Sequence, residues 1–285
     1  MAQELPCDSS KANKGLGSTG GIGRSALQTI LDKKLIPVSQ LRLSSYNTSA
    51  IPATIVNTGV EIRKGNLYEP STLEESYSGA DVLFLVSFPS MGEERFTLHR
   101  NAIDAAKAVG VRHVIYTSLS FCGGAEGTSS VAQVAQAHLQ TESYLKASGL
   151  TYTILRMASY THLWNNFAGF LNLSGDPEAT LEAVMPNDGL EHWADRSELG
   201  EAAGYIIANW EAIKWHIQNG SVPPEQESFL DNWASWHTAI SQGEKAFLDP
   251  TLEKLLGRKP KTVDDQADEI FAVSNELDTK DLVGI

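Results

Sequence analysis

The glycines of Gly17-Ser18-Thr19-Gly20-Gly21-Ile22-Gly23 are spaced so that a backbone can approach a pyrophosphate closely. Ile22, Ala26, Leu27, Ile30 and Leu31 follow with helical periodicity. The stretch therefore reads as a tight turn opening into a helix, whose free N–H groups and positive dipole end would face the phosphate charge. The competing reading is a glycine-rich surface loop ahead of an ordinary helix. A second chemical pair is His138 and Glu142, one turn apart and so on one helix face. Val131, Val134 and Ala135 share that side, which turns the face toward a core. The carboxylate would orient the imidazole, and the imidazole would donate a proton to a reduced substrate oxygen. The alternative is a core histidine with its N–H satisfied, beside a glutamate that seeks solvent.

The elements around these residues alternate. A helix is expected from about Gly21 to Leu35, stopped by Pro37, and a strand around Val38, Leu41 and Leu43. The polar loop that follows, about 20 residues past the glycines, is where a ribose-binding acid would lie. It holds no Asp or Glu. Arg42, Ser44, Ser45 and Asn47 offer hydrogen bonds to a 2′-phosphate instead, which favours NADPH over NADH, although a solvated Ser/Asn turn reads the same way. Val60 and Ile62 mark a short strand, and Ser71-x-x-Glu74 has the form of a capping box. Asp81–Ser87 is almost continuously apolar, as a parallel strand covered on both faces requires. A helix over Glu93–Val109, a strand over His113–Ser118, a helix over Ser130–Ala147 and a strand over Tyr152–Arg156 complete a doubly wound, Rossmann-like α/β pattern. Ser87, Thr117, Ser118 and Arg156 then fall at carboxyl ends of strands, where ligands sit in such sheets. Asp195 reads as an N-cap with Glu198 at N3, and the helix it starts runs to Trp210.

One element is not visible. The residues before Gly17 show no period-two or continuous apolar pattern, so the first strand reads as missing or degenerate. The expected division is an irregular segment over 1–16, a dinucleotide-binding domain over 17–160, a substrate-binding cap over 161–262 and a loose tail over 263–285. Trp164, Phe167, Phe170 and Leu171 would line a cleft or pack the cap, and Trp233 and Trp236 share a helix face.

Composition bounds the rest. The 285 residues carry a formal charge of -13, which argues against a nucleic-acid backbone as main partner. No apolar run is long enough to span a membrane and no apolar leader is visible. The two cysteines, Cys7 and Cys122, suit a reducing, cytoplasmic compartment. Histidines 99, 113, 162, 192, 216 and 237 have no metal-type spacing, so no metal site is expected. A Gly-x-Ser-x-Gly hydrolase elbow is absent, and nothing near Cys122 in sequence activates it.

The stretches GSTGGIGRSAL (17–27), GADVLFLVSFPS (79–90), HRNAIDAAKAVGVRHVIYTSL (99–119), AHLQTESYLKASGLTYTILRMASY (137–160) and DPTLEKLLGRKPKT (249–262) resemble, in order, the NmrA-like atypical branch of the short-chain dehydrogenase/reductase superfamily. The similarity is to its quinone-reductase-like and fungal oxidoreductase members. The resemblance implies a Rossmann domain, NAD(P)H at the glycine turn, and a small C-terminal substrate-binding portion. It also implies either reduction of a quinone or related aromatic or polyketide-type carbonyl, in fungal secondary metabolism, or dinucleotide sensing without turnover. Position 138 falls where reductase relatives carry His or Lys near the nicotinamide. The superfamily's Tyr-x-x-x-Lys pair is absent, since none of the eight tyrosines has Lys four residues on. Relatives also carry a strand and a helix after the segment matching Ala202–Trp210, where this chain runs through Glu211–Trp215 toward the Trp233 helix.

Overall fold

A computed structural model describes residues 14–17, 21–90, 92–120, 122, 129–164, 189–210, 239, 242–244 and 250–266. Six parallel strands form the central sheet: β1 (Lys14–Gly17), β2 (Leu41–Ser45), β3 (Glu61–Lys64), β4 (Val82–Leu85), β5 (His113–Leu119) and β6 (Thr151–Met157), in the order β3-β2-β1-β4-β5-β6. This is the Rossmann order. It reverses between β1 and β4, and the crevice beyond the carboxyl ends of those two strands is where such sheets hold their ligand.

β1 occupies the middle of the sheet, pairing Lys14 with Leu41 and Val82 and Leu16 with Leu43 and Phe84. Where the sequence shows no strand pattern, the structure has a short strand of four residues. A central strand needs only its backbone N–H and C=O groups to meet partners on both sides. Lys-Gly-Leu-Gly is too short to show the side-chain alternation by which strands are read from sequence.

Helices cover both faces. On one, α1 (Gly21–Asp32) and α6 (Arg196–Ala208) bury Ile22, Leu27, Ile30, Leu199 and Ile206 against Leu43, Val82 and Phe84. On the other, α3 (Pro70–Tyr77) and α4 (Gly92–Ala108), with α5 (Gln133–Ala147), pack Leu73, Ala102, Ile103 and Leu145 on Leu83, Leu85, Val114 and Tyr116. The one-turn α2 (Ala53–Val56) adds Ile55 to the first face. Alternate residues of β4 thus enter opposite cores, which is why its sequence is apolar throughout. A minor two-stranded ladder pairs β7 (Ser159–Tyr160) with β8 (Trp193–Ala194).

The capping box expected at Ser71 does not form. The helix starts one residue earlier with Pro70 at N1, and no side chain caps its N-terminus. Proline's fixed φ and missing donor make it a ready first helical residue. The cap at Asp195 forms as expected, its carboxylate accepting from the amides of Ser197 at 2.7 Å and Glu198 at 3.2 Å. α6 lies parallel to α1 at very short range. A Cβ added to Gly200 would come within 2.3 Å of the Ser25 Cβ and 3.0 Å of the Ile22 carbonyl, and one added to Gly204 within 3.0 Å of the Ala26 carbonyl. α7 (Thr251–Leu256) leads to Arg258, which bonds the buried Glu198 and also meets Glu201 at 3.0 Å, clasping α6 from its outer side. Residues 263–266 carry a short 3₁₀ turn at Asp264–Gln266. Phe167, Phe170, Leu171, the Trp233 and Trp236 helix and the segment from 211 lie outside the described residues.

Candidate functional site

The glycine turn sits where the strand order demands. Gly17 ends β1 and α1 begins at Gly21, whose φ of +40° favours glycine. Ser18, Thr19 and Gly20 lie outside the described residues. Ile22 and Gly23 are buried, and the first turn of α1 holds no acidic residue to compete with an incoming anion. These features fit a dinucleotide diphosphate at the amino end of α1.

The residues expected around a 2′-phosphate divide. Arg42 is opposite Gly15 and Glu61 in register, three residues back from the carboxyl end of β2. Its Nε donates to Glu61 at 2.8 Å and its Nη1 to the Ser78 carbonyl at 2.6 Å. Arg42 is thus a sheet-edge tie. Ser44 is buried and accepts from the Ser76 hydroxyl at 2.8 Å, filling space that a side chain at Gly65 would need. Only Ser45 stays at the strand end with its hydroxyl turned to the loop, donating to the Asn47 carbonyl at 3.3 Å. Lys64 ends the adjacent strand beside it, 58% exposed and 3.7 Å from Glu69.

At the ends of β4 and β5 the hydroxyls are used internally. The Ser87 amide donates to Thr117 Oγ1 at 2.8 Å, locking the two strand ends together. The buried Ser118 donates to Glu142 at 2.6 Å. Ser87 itself is half-buried at the switch point.

The expected His138–Glu142 relay is not what the structure builds. Both side chains are buried, and each has other partners. Arg156 forms a fork on Glu142, Nε to Oε1 at 3.1 Å and Nη2 to Oε2 at 2.7 Å, and its Nη1 donates to the Cys122 carbonyl at 2.8 Å. Such bidentate pairing outcompetes a single imidazole contact. His138 instead accepts at Nε2 from Arg95 Nη1 at 2.9 Å and donates from Nδ1 to Tyr116 Oη at 2.7 Å. Burial, reinforced by Arg95 and His99, holds its pKa well below the usual histidine range, so the ring is neutral. Spacing on the helix showed that residues 138 and 142 share a face. It could not show that two arginines, from α4 and β6, would divide that face between them.

Around His138 lies a second neutral histidine. His99 Nε2 accepts from the Phe88 amide at 2.8 Å, so its proton is on Nδ1, directed at Thr141 Oγ1 at 2.9 Å. Burial and Arg95 bring its pKa down to about 3. Arg95, 1% exposed, is cationic even though burial lowers its pKa to about 10. Its Nε has no hydrogen-bond partner, and among the described residues no carboxylate pairs with it. Sequence reading missed this residue. The signal available was only an arginine in the first turn of a helix that follows a buried strand. Burial pushes the Cys122 thiol up to about 12, with Glu142 adding to the effect, so it is inert as a nucleophile.

Tyr160, on β7, lies between two cations. The Arg196 guanidinium is 6.0 Å from its ring centre, and the charges of Arg95 and Arg196 both act on its hydroxyl. Gly21, Arg196, Tyr160, Arg95 and His138 are thus linked pairwise, from the amino end of α1 to α5. A separate cavity of about 630 Å³, lined by Leu31, Ile36, Pro37 and Ile55 among others, lies at the far end of α1 and has no part in this arrangement. Among the described residues no cluster of metal-ligating side chains occurs, and no helix is long and apolar enough to cross a membrane.

Comparison with known proteins agrees with this geometry. The chain matches the NAD(P)H-binding family over residues 17–169. It is 36% identical over 194 residues to an NmrA-like family domain-containing oxidoreductase of Aspergillus flavus, covering 67% of this chain and 60% of that one. It is 29% identical over 195 residues to quinone oxidoreductase 2 of Escherichia coli, covering 67% and 62%. The matched region therefore spans about three fifths of each relative's length. The fold is shared with the triphenylmethane reductase of a Citrobacter species, solved with NADP(H), at a TM-score of 0.69 and 22% identity over 90% of this chain and 99% of that one. From the family match over more than half its length and the glycine turn at the sheet's switch point, the chain belongs to the NAD(P)H-binding family, and within it resembles the NmrA-like oxidoreductases.

Proposed function

We propose that the protein is an NADPH-dependent oxidoreductase that reduces a quinone or a related aromatic, polyketide-type carbonyl. The observation that carries this reading is the glycine turn at the sheet's switch point, where α1 begins at Gly21 with a φ of +40°. A buried cation, Arg95, lies in the first turn of α4, the helix that follows β4. When bound, NADPH supplies the hydride. The amides at the start of α1 would hold its diphosphate. NADPH is favoured over NADH because the loop directly after β2 holds no carboxylate and Lys64 stands beside Ser45 at the strand end.

Arg95 supplies positive potential where the reduced substrate oxygen would gain charge. It is buried, so it acts through its field in a low-dielectric site more than by contact. His138 accepts from the guanidinium and Tyr116 holds His138 in turn. Burial lowers the pKa of His138, so it carries no imidazolium proton to give, and raises that of the Tyr116 hydroxyl, which makes it a weak acid. A quinone suits this arrangement because its reduced form needs little acid catalysis, and the final protons can come from water. The likeness to a quinone oxidoreductase and to an NmrA-like oxidoreductase of Aspergillus flavus supports the reaction and substrate class.

The test is a fluorescence titration with NADPH, followed by NADPH consumption with a panel of quinones. Binding with consumption is the expected result. Binding without consumption across the panel would replace this reading with that of a dinucleotide-binding regulator.

A further inference from the structure

The family match ends at residue 169, yet a side chain from well beyond it reaches the glycine turn. Arg196 is the first residue of α6. A Cβ built on Gly21 would lie 3.4 Å from Arg196 Cδ and 3.7 Å from both Nε and Nη1. Its guanidinium therefore stands at the amino end of α1.

Three observations fix it there and leave its charge available. First, Gly200 and Gly204 let α6 sit directly on the α1 backbone, and the Asp195 cap sets where α6 starts, so the backbone of Arg196 is held beside the start of α1. Second, the nearby acids are committed elsewhere. Asp195 accepts from the amides of Ser197 and Glu198, Glu198 is bonded by Arg258 and by the Lys261 amide at 2.8 Å, and Glu201 meets Arg258 and Lys33. Among the described residues no carboxylate pairs with Arg196. Third, its guanidinium lies 6.0 Å from the Tyr160 ring centre, a contact that orients the planar cation without neutralising it.

Resting on the reading that the amino end of α1 takes a dinucleotide, we propose that Arg196 is a diphosphate-binding residue, delivered to the glycine turn by the packing of α6 on α1. A guanidinium matches two phosphate oxygens with parallel N–H donors, and a charge-assisted pair of that kind is stronger than a neutral amide contact. The site is then made from two segments far apart in sequence. The diphosphate would bridge α1 and α6, so that nucleotide binding also tightens their packing.

The experiment compares the full chain with Arg196→Met and Arg196→Lys, using NADPH and NADH as probes and reading dissociation constants by fluorescence or calorimetry. Thermal melting without ligand serves as the folding control. Arg196→Met is expected to weaken both nucleotides by the same factor, about 10-fold, at an unchanged melting temperature, with Arg196→Lys in between. Equal affinity in parent and variant would overturn the proposal. So would a loss confined to NADPH, which would move Arg196 to the 2′-phosphate. A parent chain that binds neither nucleotide at millimolar concentration would instead overturn the dinucleotide reading, and this assignment with it.

Discussion

Arg95 Nη1 lies 2.9 Å from His138 Nε2, and this contact decides which ring nitrogen carries the proton. A guanidinium only donates, so Nε2 must accept. The proton is then on Nδ1 and points to Tyr116 Oη at 2.7 Å. The Phe88 amide imposes the same tautomer on His99. A pair of histidines that would look like acid–base candidates by type is therefore held neutral, each in one tautomer. For His138 to act as an acid it would need a second proton, against burial and the adjacent Arg95 charge.

His138→Ala is expected to cost about 3 kcal/mol of stability, because it strips a buried guanidinium of its acceptor. Urea unfolding measures this. His138→Gln, which retains an acceptor oxygen, should recover part of the loss. An unchanged midpoint in His138→Ala would show that Arg95 does not depend on this bond.

Arg156, partly buried, forks on the buried Glu142, so removing either partner takes the main counter-charge from the other. Glu142→Leu and Arg156→Met are each expected to destabilise by about 3 kcal/mol. The double variant should be more stable than the sum of the two losses implies, by at least ~1 kcal/mol. Strict additivity in this double-mutant cycle would refute the pairing.

Gly200→Ala puts a methyl carbon 2.3 Å from the Ser25 Cβ and 3.0 Å from the Ile22 carbonyl, so α6 must back away from α1. A loss of roughly 1–3 kcal/mol is expected from such overpacking. NADPH affinity should fall with it, because Arg196 moves with α6. Adding Ser25→Gly removes one of the two clashing atoms and should restore part of both. A Gly200→Ala chain with parental stability and affinity would show that this contact does not set the site.

Acid should weaken the fold early. Burial lowers His113 to about 4 and His99 to about 3, whereas in the unfolded chain both titrate near 6.5. Between these values the unfolded state holds more protons, so stability is full above about pH 6.5 and declines as pH falls toward 4 and then 3. Each histidine contributes on the order of 3 kcal/mol to this decline. Urea midpoints at pH 7.5 and 4.5 measure it, and His113→Gln should flatten the slope. Thr151 donates to the Arg112 carbonyl, so His113 Nδ1 donates to Thr151 and Nε2 accepts from Thr153, a pattern a glutamine amide can share. Equal slopes in parent and variant would remove His113 from the acid limb.

The sequence alone determined the Rossmann-like alternation, the glycine turn, the Asp195 cap and the family, because these rest on local periodicity, short-range backbone chemistry and runs of residues in order. It did not reveal β1, since a four-residue central strand is defined by backbone pairing with β2 and β4 and not by its own side chains. It placed His138 and Glu142 on one helix face, but the tertiary structure assigned them to different arginines, because partners from α4 and β6 are distant in sequence. Arg42 and Ser44 sit in the right stretch for a phosphate, yet register and cross-strand bonds turn them to structural work. Arg95 and Arg196 were invisible for the same physical reason. A lone arginine is chemically silent until folding removes its water and its counter-ions and sets it beside a site that another part of the chain has built.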